Sequence, residues 1–356
     1  MKPLIRCRLV YNKSRHLQQL YAGLVRLRSL GIVELLVDTQ SPDNRLSNLP
    51  ILYVTVNDKF KVIYDALDGF NWIPGTIEEN LSFFQTTFKA DYYFKRSFNQ
   101  RLEDMAPEGC KVLSLGLNYH IRPEHSLARA SIKDNLQAMV RRNDFASRIL
   151  RLKNDEMALP SEDYEYYPLP SKDTKILCLT RIWNPDDFPS DRTKAEIEIL
   201  NKSRISAITT CQKEFGEIFY GGLSDDGFAR SHAKSLVAPV AATNKKRYLE
   251  LVKSHAICIA TTGLHGSIGW KFSEYVAASR AILSEPLQYE APGGFKKEQN
   301  YLEFTNTDEL IAGINVLRRD RAALLRMMRE NYYYYNNYLR PENLVLNTLL
   351  KVLEEN

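Results

Sequence analysis

Residues 255–285, HAICIATTGLHGSIGWKFSEYVAASRAILSE, decide the fold class of this chain. An apolar run, HAICIA, leads into a glycine-rich turn, which is followed by a helical pattern and by a second apolar run, AILS. The order of strand, helix and strand is typical of a βαβ unit with parallel strands. Ligands bind beyond the carboxyl ends of such strands, where the unpaired N–H groups of helix N-termini favour anions. The stretch is therefore either a phosphate site or an ordinary loop and helix.

The same alternation extends outward and divides the chain into two halves. The first half contains, in order, PLIRCRLVY, HLQQLYAGLVRLRSLG, IVELLVD, ILYVTV, KVIYDAL, DYYFKRSF and KVLSLGLNY, and then a helical pattern at 131–152. The second half contains KILCLTRIW, a helical region at 192–215, EIFYGGL, SLVAPV and NKKRYLELVKS before the stretch above. Prolines and charges without periodicity separate the halves and indicate a linker. We expect two Rossmann-like βαβ domains, at 1–155 and 174–330, joined by a linker at 156–173.

The C-terminal region, from TDELIAG onward, has a helical pattern throughout, with one break at Pro341. Asn306 or Thr307 is placed to cap its first helix. We expect the segment 331–356 to cross back toward the first domain and its helix to pack there. The tyrosine run at 332–335 fits a packing role between two domains.

Composition bounds the classes of function that the chain can have. Hydrophobic residues make up 44% of the 356 residues, which is enough for two domains with their own cores. The 48 Lys and Arg against 43 Asp and Glu give a formal charge of +5, and the basic residues are scattered. A nucleic-acid footprint is therefore not indicated, whereas an anionic small molecule or an acidic membrane surface stays open as a partner.

Cysteine usage and hydropathy indicate a cytoplasmic chain. The cysteines lie far apart without CxxC spacing, so we expect reduced, buried thiols and no zinc site. They are Cys7, Cys110, Cys178, Cys211 and Cys258. The N-terminal apolar run is short and interrupted by charge, and nowhere do about 18 apolar residues follow one another. We expect no signal peptide and no membrane span, while the basic balance permits peripheral contact with the inner membrane.

The glycine turn and the helix after it hold the candidate anion ligands. Residues that let a phosphate approach the backbone, or that offer it a hydroxyl, fill the turn: Thr261, Thr262, Gly263, Gly266, Ser267 and Gly269. Lys271 and Glu274 follow at i and i+3 on one helix face. A diphosphate would account for a lysine near a helix start, where the macrodipole does not favour it, and a ribose diol would account for the glutamate. The alternative is an i, i+3 ion pair on a solvated face.

The segment KFSEYVAASRAILSE resembles the K-x-x-E-Y-x-A-x-x-K/R-x-I/V segment of GT-B glycosyltransferases of the group-1 and spore-maturation-protein (CgeB-like) type. ICIATTGLHGSIGW before it, and NYLEFTNTDELIAGINVLRRD and YYYYNNYLRPENL after it, resemble the same family. The resemblance extends from about 257 to 341. It implies two domains facing across a cleft, with a nucleotide-sugar donor in the second and an acceptor in the first.

Carried over by position, the resemblance makes Glu274 the ribose ligand. Gly266, Ser267 and Lys271 become diphosphate ligands, with His265 beside them. The sequence departs from the larger family at Gly266, where many members have an acidic residue that pairs with this glutamate. The resemblance therefore implies more about binding the nucleotide than about contacts to the sugar.

Arg181, in LTRIWNP, is a second donor-site candidate because it directly follows the first strand of the second domain. Glycosyl transfer builds negative charge on the departing diphosphate, which a fixed guanidinium stabilises. Related enzymes often have a lysine five residues later, where this chain has Asp186. Arg192, at the next helix start, is expected to take that lysine's place. The alternative is a loop arginine that pairs with Asp186 or Asp187.

The first domain should hold the acceptor and a general base. Asp65 and Asp68, in VIYDALDG, are the candidates for accepting the proton of an acceptor hydroxyl, although Asp68-Gly69 also fits an ordinary turn. Other polar residues follow strands at comparable positions: His16, Lys95, Arg96 and His120. The histidines fit structural or exposed roles. The two cations fit an anionic acceptor, closure of the cleft, or plain surface charge.

These features together predict a metal-independent glycosyltransferase, and the resemblance implies a role in bacterial surface polysaccharide or glycoconjugate biosynthesis. It would move a sugar from a nucleotide-sugar donor to a glycan, lipid-linked or protein acceptor, without a cofactor. The adjacent carboxylates Asp186-Asp187 and Asp225-Asp226 do not converge readily on one ion, so no metal site is expected. Two alternatives stay open: a two-domain nucleotide-sugar epimerase, and a non-catalytic nucleotide-binding protein of the same fold.

Overall fold

The structure is a computed structural model that describes residues 4–38, 46, 48–122, 158–170 and 173–354. They belong to two compact units, Met1–Ser161 with Arg340–Asn356, and Glu162–Leu339. Each unit has its own sheet, as the repeated βαβ pattern predicts. The helix predicted at 131–152 lies outside the described residues.

The elements alternate along the chain as follows. The strands are β1 Ile5–Val10, β2 Val33–Asp38, β3 Ile51–Val56, β4 Phe60–Asp65, β5 Tyr92–Lys95, β6 Lys111–Ser114, β7 Ile176–Thr180, β8 Phe219–Leu223, β9 Ile257–Ala260, β10 Ala281–Ser284 and β11 Leu302–Glu303. The α-helices are α1 Gln18–Ser29, α2 Ile77–Thr87, α3 Gln100–Asp104, α4 Asp191–Phe215, α5 Gly227–His232, α6 Val240–Thr243, α7 Lys245–Ser254, α8 Trp270–Ala277, α9 Thr307–Arg319, α10 Arg321–Tyr334 and α11 Pro341–Leu353. Short 3₁₀ turns lie at Arg15–Leu17, Ser161–Asp163, Pro185–Asp187, Gly216–Ile218, Lys234–Leu236 and Leu264–Gly266, and a π-helix at Tyr335–Leu339.

The first sheet has the strand order β2-β1-β3-β4-β5-β6 and is mixed. Strand β3 runs antiparallel to both of its neighbours, and the other pairs are parallel. Strands β3 and β4 form a hairpin through Asn57 and Asp58, each with φ of 53°, a region that these two residue types tolerate. The predicted βαβ alternation is therefore interrupted by a hairpin here. Strands β1, β4, β5 and β6 still share one carboxyl edge.

The C-terminal helix α11 packs on the first unit, as predicted. Its buried apolar side chains join the core beneath β1 and α1: Leu344, Val345, Leu349 and Val352. Gly23 of α1 permits the close approach, because a Cβ there would lie 2.2 Å from the Pro341 carbonyl oxygen. Tyr64 of β4 also shares a hydrogen bond of 2.8 Å with Thr348.

The second sheet is entirely parallel and has the strand order β11-β10-β9-β7-β8. Strand β7 is the first of this unit along the chain, and it lies between β8 and β9. The chain passes from β7 to β8 on one side and then crosses to β9 on the other side of β7. The boundary between β7 and β9 is therefore a topological switch point. The apolar run SLVAPV forms no strand; it contains part of the Lys234–Leu236 turn and the first residue of α6.

The helical C-terminal region has one more break than predicted. Asn306 caps α9 by accepting a hydrogen bond of 2.9 Å from the Glu309 N–H, which confirms one of the two expected caps. Asp320 then ends α9 and caps α10, because its carboxylate accepts from the Ala323 N–H at 2.9 Å. Tyr334 and Tyr335 are buried within the second unit, which extends to Leu339.

The thiols of all five cysteines are free and buried, as predicted, and burial raises the pKa of each. Among the helices of the described ranges, none is long and apolar enough to cross a bilayer.

Candidate functional site

The loops after β7, β9 and β10 meet at the carboxyl edge of the second sheet, around its switch point. Arg181 follows β7, the glycine turn 261–269 follows β9, and Glu285 follows β10. Helix α8 begins directly after the glycine turn, and no side-chain hydrogen bond caps it at Gly269. Backbone N–H groups at such a helix start favour an anion.

The glycine turn is held in a fixed backbone conformation. His265 and Gly266 both have left-handed backbone, with φ of 59° and 64°. A Cβ at position 266 would lie 2.2 Å from Gln288 Oε1, so a glycine suits both the torsion and the space. The Gly263 N–H closes the turn on the Ser267 carbonyl at 2.7 Å, and the His265 N–H donates to Glu196 at 2.5 Å. A glycine at position 266 therefore fits the backbone conformation of the turn and the space beside Gln288.

Lys271 and Glu274 do not form the ion pair that was the alternative interpretation. Lys271 Nζ donates to the Leu179 carbonyl oxygen at 2.6 Å and lies 4.9 Å from the centre of the Tyr248 ring. Burial lowers its pKa to about 8, an effect that Glu274 opposes and Lys245 increases.

Glu274 is 2% exposed and pairs instead with Lys245 Nζ at 2.5 Å. Its other oxygen, Oε2, has no hydrogen-bond partner within the described ranges. The predicted ribose ligand is therefore buried, and one of its oxygens is engaged by a lysine that the sequence did not single out.

Arg181 lies at the site without the partners that the alternative interpretation gives it. Asp186 contacts Lys194 at 4.0 Å, and Asp187 accepts from Asn184 at 3.4 Å. No ion pair of Arg181 is found in the described part of the chain; its guanidinium lies 5.1 Å from the Trp183 ring centre. Desolvation lowers the pKa of Arg181, which the Asp226 carboxylate partly offsets.

Arg192 is exposed in the first turn of α4. It is Lys194, two residues later, that approaches Asp186. The expected contribution of Arg192 to the donor site, beside Arg181, stays a prediction.

Arg204 is the residue of this site that sequence reasoning missed. It is 4% exposed, and its three donor groups bind Thr261 Oγ1 at 3.1 Å, the Arg181 carbonyl at 2.8 Å and the Thr262 carbonyl at 2.7 Å. A charged residue on the apolar stripe of α4 was the available signal: Ile197, Leu200, Arg204, Ile208 and Cys211 share the buried face. Burial lowers the pKa of Arg204 to about 10; Glu285 opposes this and Arg181 adds to it.

Two neighbours of Arg204 in α4 also bind these loops. Asn201 brackets Trp183, accepting from its N–H at 3.0 Å and donating to its carbonyl at 2.7 Å. Ser203 donates to Glu285, whose other oxygen accepts from Thr262 at 2.8 and 2.9 Å. One helical turn, 201–204, therefore connects the loops after β7, β9 and β10.

Arg181, Arg204 and Lys271 form no ion pair with a carboxylate among the residues that the structure describes. Arg204 and Lys271 donate to uncharged oxygens, and Arg181 has no carboxylate within ion-pair distance in the described ranges. Glu285, Glu274 and Asp226 offset these charges only at longer range, so three cations at one strand edge suit an anionic ligand.

A cavity of about 1090 Å³ is lined by the loop after β7 and by helices α4 and α5, with residues that include Ile182, Asn201 and Phe228. Neither Lys271 nor the glycine turn lines it. The cation group is therefore distinct from this cavity.

The first unit places Asp65 at the centre of a buried network. Its carboxylate is 0% exposed and accepts from Trp72 Nε1 at 2.6 Å, Tyr93 OH at 2.5 Å and Lys95 Nζ at 3.1 Å. Lys95 also donates to the Leu67 carbonyl at 2.7 Å. In this conformation Asp65 supports the ends of β4 and β5 and has no surface for an acceptor.

Asp68 keeps a 35% exposed side chain at the same edge and pairs with Arg96 at 2.5 Å. Burial lowers the pKa of nearby His16, which the charge on Arg96 lowers further and Asp68 partly restores; His120 also acts on it. The structure thus brings together four of the residues predicted for the first domain. Lys95 and Arg96, 0% and 6% exposed, are not surface charges.

Metal-binding groups of three or more His, Cys, Asp or Glu are absent from the described ranges. Asp225 pairs with Arg230 at 2.5 Å, and Asp226 caps α5 by accepting from the Ala229 N–H at 2.8 Å. These two carboxylates therefore have structural partners.

No family model and no curated protein sequence matches the chain. Solved structures that resemble it include the C-terminal domain of a group 1 glycosyl transferase, LpcC, from Francisella tularensis, with 12% identity over 51% of this chain and 97% of that domain, at a TM-score of 0.34. The pneumococcal O-GlcNAc transferase GtfA, solved with UDP and GlcNAc, has 13% identity over 94% of this chain and 54% of its own, at 0.35. The wall teichoic acid polymerase TagF has 11% identity over 79% and 77%, at 0.30.

Identities and TM-scores this low carry no argument about family membership or substrate. The fold rests instead on the two sheets described above. The chain is built from two Rossmann-like α/β units.

Proposed function

We propose that the chain is a glycosyltransferase whose nucleotide-sugar donor binds at the switch point of the second sheet. The observation that supports this most is the group of Arg181, Arg204 and Lys271, cations without a carboxylate partner beside an uncapped helix start. A diphosphate supplies two negative charges and several acceptor oxygens to such a group.

In this proposal, Arg181 and Lys271 are the side chains that contact the diphosphate. Charge on the leaving diphosphate increases as the glycosidic bond breaks, so fixed cations stabilise the transition state more than the ground state. The Gly266 N–H and the Ser267 hydroxyl are proposed to complete the diphosphate site, with His265 beside them. The Ser267 N–H already donates to the Leu264 carbonyl at 3.2 Å, and the His265 N–H donates to Glu196. Arg192 is proposed to join it from the first turn of α4.

Glu274 is proposed to accept a hydrogen bond from a ribose hydroxyl through Oε2. That oxygen lacks a partner in the described part of the chain, while Lys245 holds the other. A buried acceptor without a donor is costly, so a hydroxyl that reaches it gains a well-placed partner.

On the acceptor side, Asp68 is the proposed general base. It is the carboxylate of the VIYDALDG segment with exposed surface, and Arg96 fixes its position. It would remove the proton from an acceptor hydroxyl as the new bond forms. Asp65, the other candidate, would act by supporting the loop that carries Asp68.

The acceptor is proposed to be a glycan, a lipid-linked saccharide or a protein in bacterial surface glycoconjugate biosynthesis, at a cytoplasmic site with peripheral contact to the inner membrane. The sequence resemblance supports this class. The cations are proposed to do the work of a metal, so EDTA should leave activity intact; a loss that Mg²⁺ or Mn²⁺ restores would contradict metal independence.

A direct test uses UDP-, GDP-, ADP-, CDP- and dTDP-linked sugars, each labelled in the sugar. A thermal shift with any of them supports donor binding, because ligands that bind the native state raise the melting temperature. Label transferred to an acceptor or to water supports a transferase. An interconverted sugar that stays on its nucleotide would indicate the epimerase, and binding without turnover would indicate a binding protein.

A further inference from the structure

Arg204 holds the two loops that the proposed donor site needs. Its Nη1 group donates to the carbonyl of Arg181, the residue after β7, and its Nη2 group donates to the carbonyl of Thr262, the second residue of the glycine turn. These acceptors lie 23 and 58 residues away along the chain. One planar guanidinium therefore sets the spacing between the Arg181 side of the site and its glycine side.

The Arg204 guanidinium is itself held in place. It lies 4.2 Å from the centre of the Trp183 ring, whose backbone Asn201 brackets. Only 4% of the residue is exposed, so it cannot easily move to another partner. Such packing is what keeps a binding group within the narrow geometric range that phosphate recognition requires.

A second buried arginine, Arg280, provides a natural comparison. It is 0% exposed and donates to the carbonyls of Ala278 at 2.6 Å, Lys253 at 3.2 Å and Tyr167 at 2.5 Å. It directly precedes β10 and therefore lies at the amino edge of the same sheet. The two arginines match in burial and in hydrogen bonding, and burial lowers the pKa of each to about 10.

We propose that Arg204 is a positioning residue for the diphosphate: it fixes Arg181 and the glycine turn at the separation that a diphosphate spans. This inference rests on the proposed function. Arg280 makes the same type of contacts at the opposite edge and has no such role. Removing either side chain costs stability, but only removal of Arg204 changes recognition of the phosphates.

The test compares Arg204→Met with Arg280→Met by calorimetric titration. The probes are UDP, GDP, ADP, CDP and dTDP, and the tightest binder of the wild-type chain is then compared with its own nucleoside. For Arg204→Met we expect the dissociation constant of the diphosphate to rise at least tenfold, while that of the nucleoside changes less than twofold. For Arg280→Met we expect a lower melting temperature with the ratio of the two constants unchanged.

Arg204→Lys keeps the charge without the fork and should give an intermediate loss, which also provides a folded variant if the methionine variant does not fold. In the double variant Arg204→Lys, Arg181→Ala, the loss of diphosphate affinity should be smaller than the sum of the two single losses, because both residues act on the same contact. If the ratio of the diphosphate and nucleoside dissociation constants is unchanged in the Arg204 variants, or changes equally in Arg280→Met, the positioning role is overturned and the proposed function is not. Failure of the wild-type chain to bind any of the five diphosphates overturns the proposed function and this inference with it.

Discussion

Two lysines at the carboxyl edges of the two sheets differ in burial and in their partners: Lys95 is buried and Lys271 is partly exposed. Lys95, at the end of β5, donates to the carboxylate of Asp65, and both side chains are 0% exposed. Lys271, in α8, donates to a backbone carbonyl, while Glu274 one turn later pairs with Lys245. A buried charge with its own counter-charge belongs to the core of its unit. Lys271 has only the longer-range influence of Glu274 and no ion pair within the described residues, so an anionic ligand can add a direct contact.

The largest effect should follow from breaking the compensated pair. Asp65→Ala leaves Lys95, Tyr93 and Trp72 without their buried acceptor, so the free energy of unfolding should fall by roughly 3–5 kcal/mol. Urea unfolding measures it. As a control, Glu34→Ala breaks an exposed pair with Arg6 and should cost less than about 1 kcal/mol. Equal costs for the two variants would show that the Asp65 network is not a folding element.

At the carboxyl edge of the second sheet, we expect a substitution of Arg181 to change ligand affinity more than the stability of the fold. Arg181→Ala should raise the dissociation constant of the nucleoside diphosphate by about tenfold to a hundredfold, since a charged hydrogen bond contributes about 1.5–3 kcal/mol. Its melting temperature should stay near that of the wild type. Arg326→Ala, which removes an exposed arginine of α10, is the matched control. Unchanged binding in Arg181→Ala would remove this residue from the site.

Glu274→Gln should have a smaller effect on the same site. It keeps the size of the side chain but weakens acceptance from a ribose hydroxyl, so ribonucleotide affinity should fall about tenfold. Affinity for the matching 2′,3′-dideoxynucleotide should change little. Glu250→Gln, on the exposed face of α7, is the control. A loss of equal size for both nucleotides would assign Glu274 to packing with Lys245.

The smallest effect concerns pH. Because the folded pKa of Lys271 is lowered to about 8, its cation is lost as pH rises through that value, and diphosphate affinity should fall by less than about tenfold between pH 7 and pH 9. Lys271→Arg should flatten this dependence. Binding near pH 8 should also take up a proton, which titration in buffers of different ionisation enthalpy measures. A flat wild-type profile would contradict a contact between Lys271 and the ligand.

The lowered pKa of Lys271 also makes the stability of the fold depend on pH. The unfolded chain binds more protons than the folded one above about pH 8, so stability increases with pH in that window. This contribution is complete above the unfolded pKa and is lost as pH falls through about 8. Ligand binding opposes it, because an anion beside Lys271 favours the cation.

Local sequence patterns predicted the parts of the fold that depend on local physics. The alternation of apolar runs and helical patterns predicted two α/β units, and Asn306 was one of two expected caps. Gly31, after α1, has φ of 73°, as a C-terminal glycine should. The hairpin at Asn57 and Asp58 was missed, although both residue types tolerate left-handed backbone, because two adjacent apolar runs also fit parallel strands.

The candidate site was predicted as a segment but not as a set of contacts. The glycine turn and Lys271 follow from a strand and a helix start that are adjacent in sequence. Arg204 reaches acceptors far along the chain, and Lys245 meets Glu274 across 29 residues. Periodicity indicates which side chains face inward, and it cannot indicate which inward-facing charges meet.

The packing of α11 against Gly23 affects the order in which the two units can fold during synthesis on the ribosome. The second unit is continuous along the chain, whereas the core of the first lacks Leu344, Val345, Leu349 and Val352 until its last residues emerge. We therefore expect the first unit to complete its core only after α11 has been synthesised, whereas the second unit can complete its own core before that. Truncation before Pro341 should leave the nascent first unit dependent on chaperones, with the second unit intact.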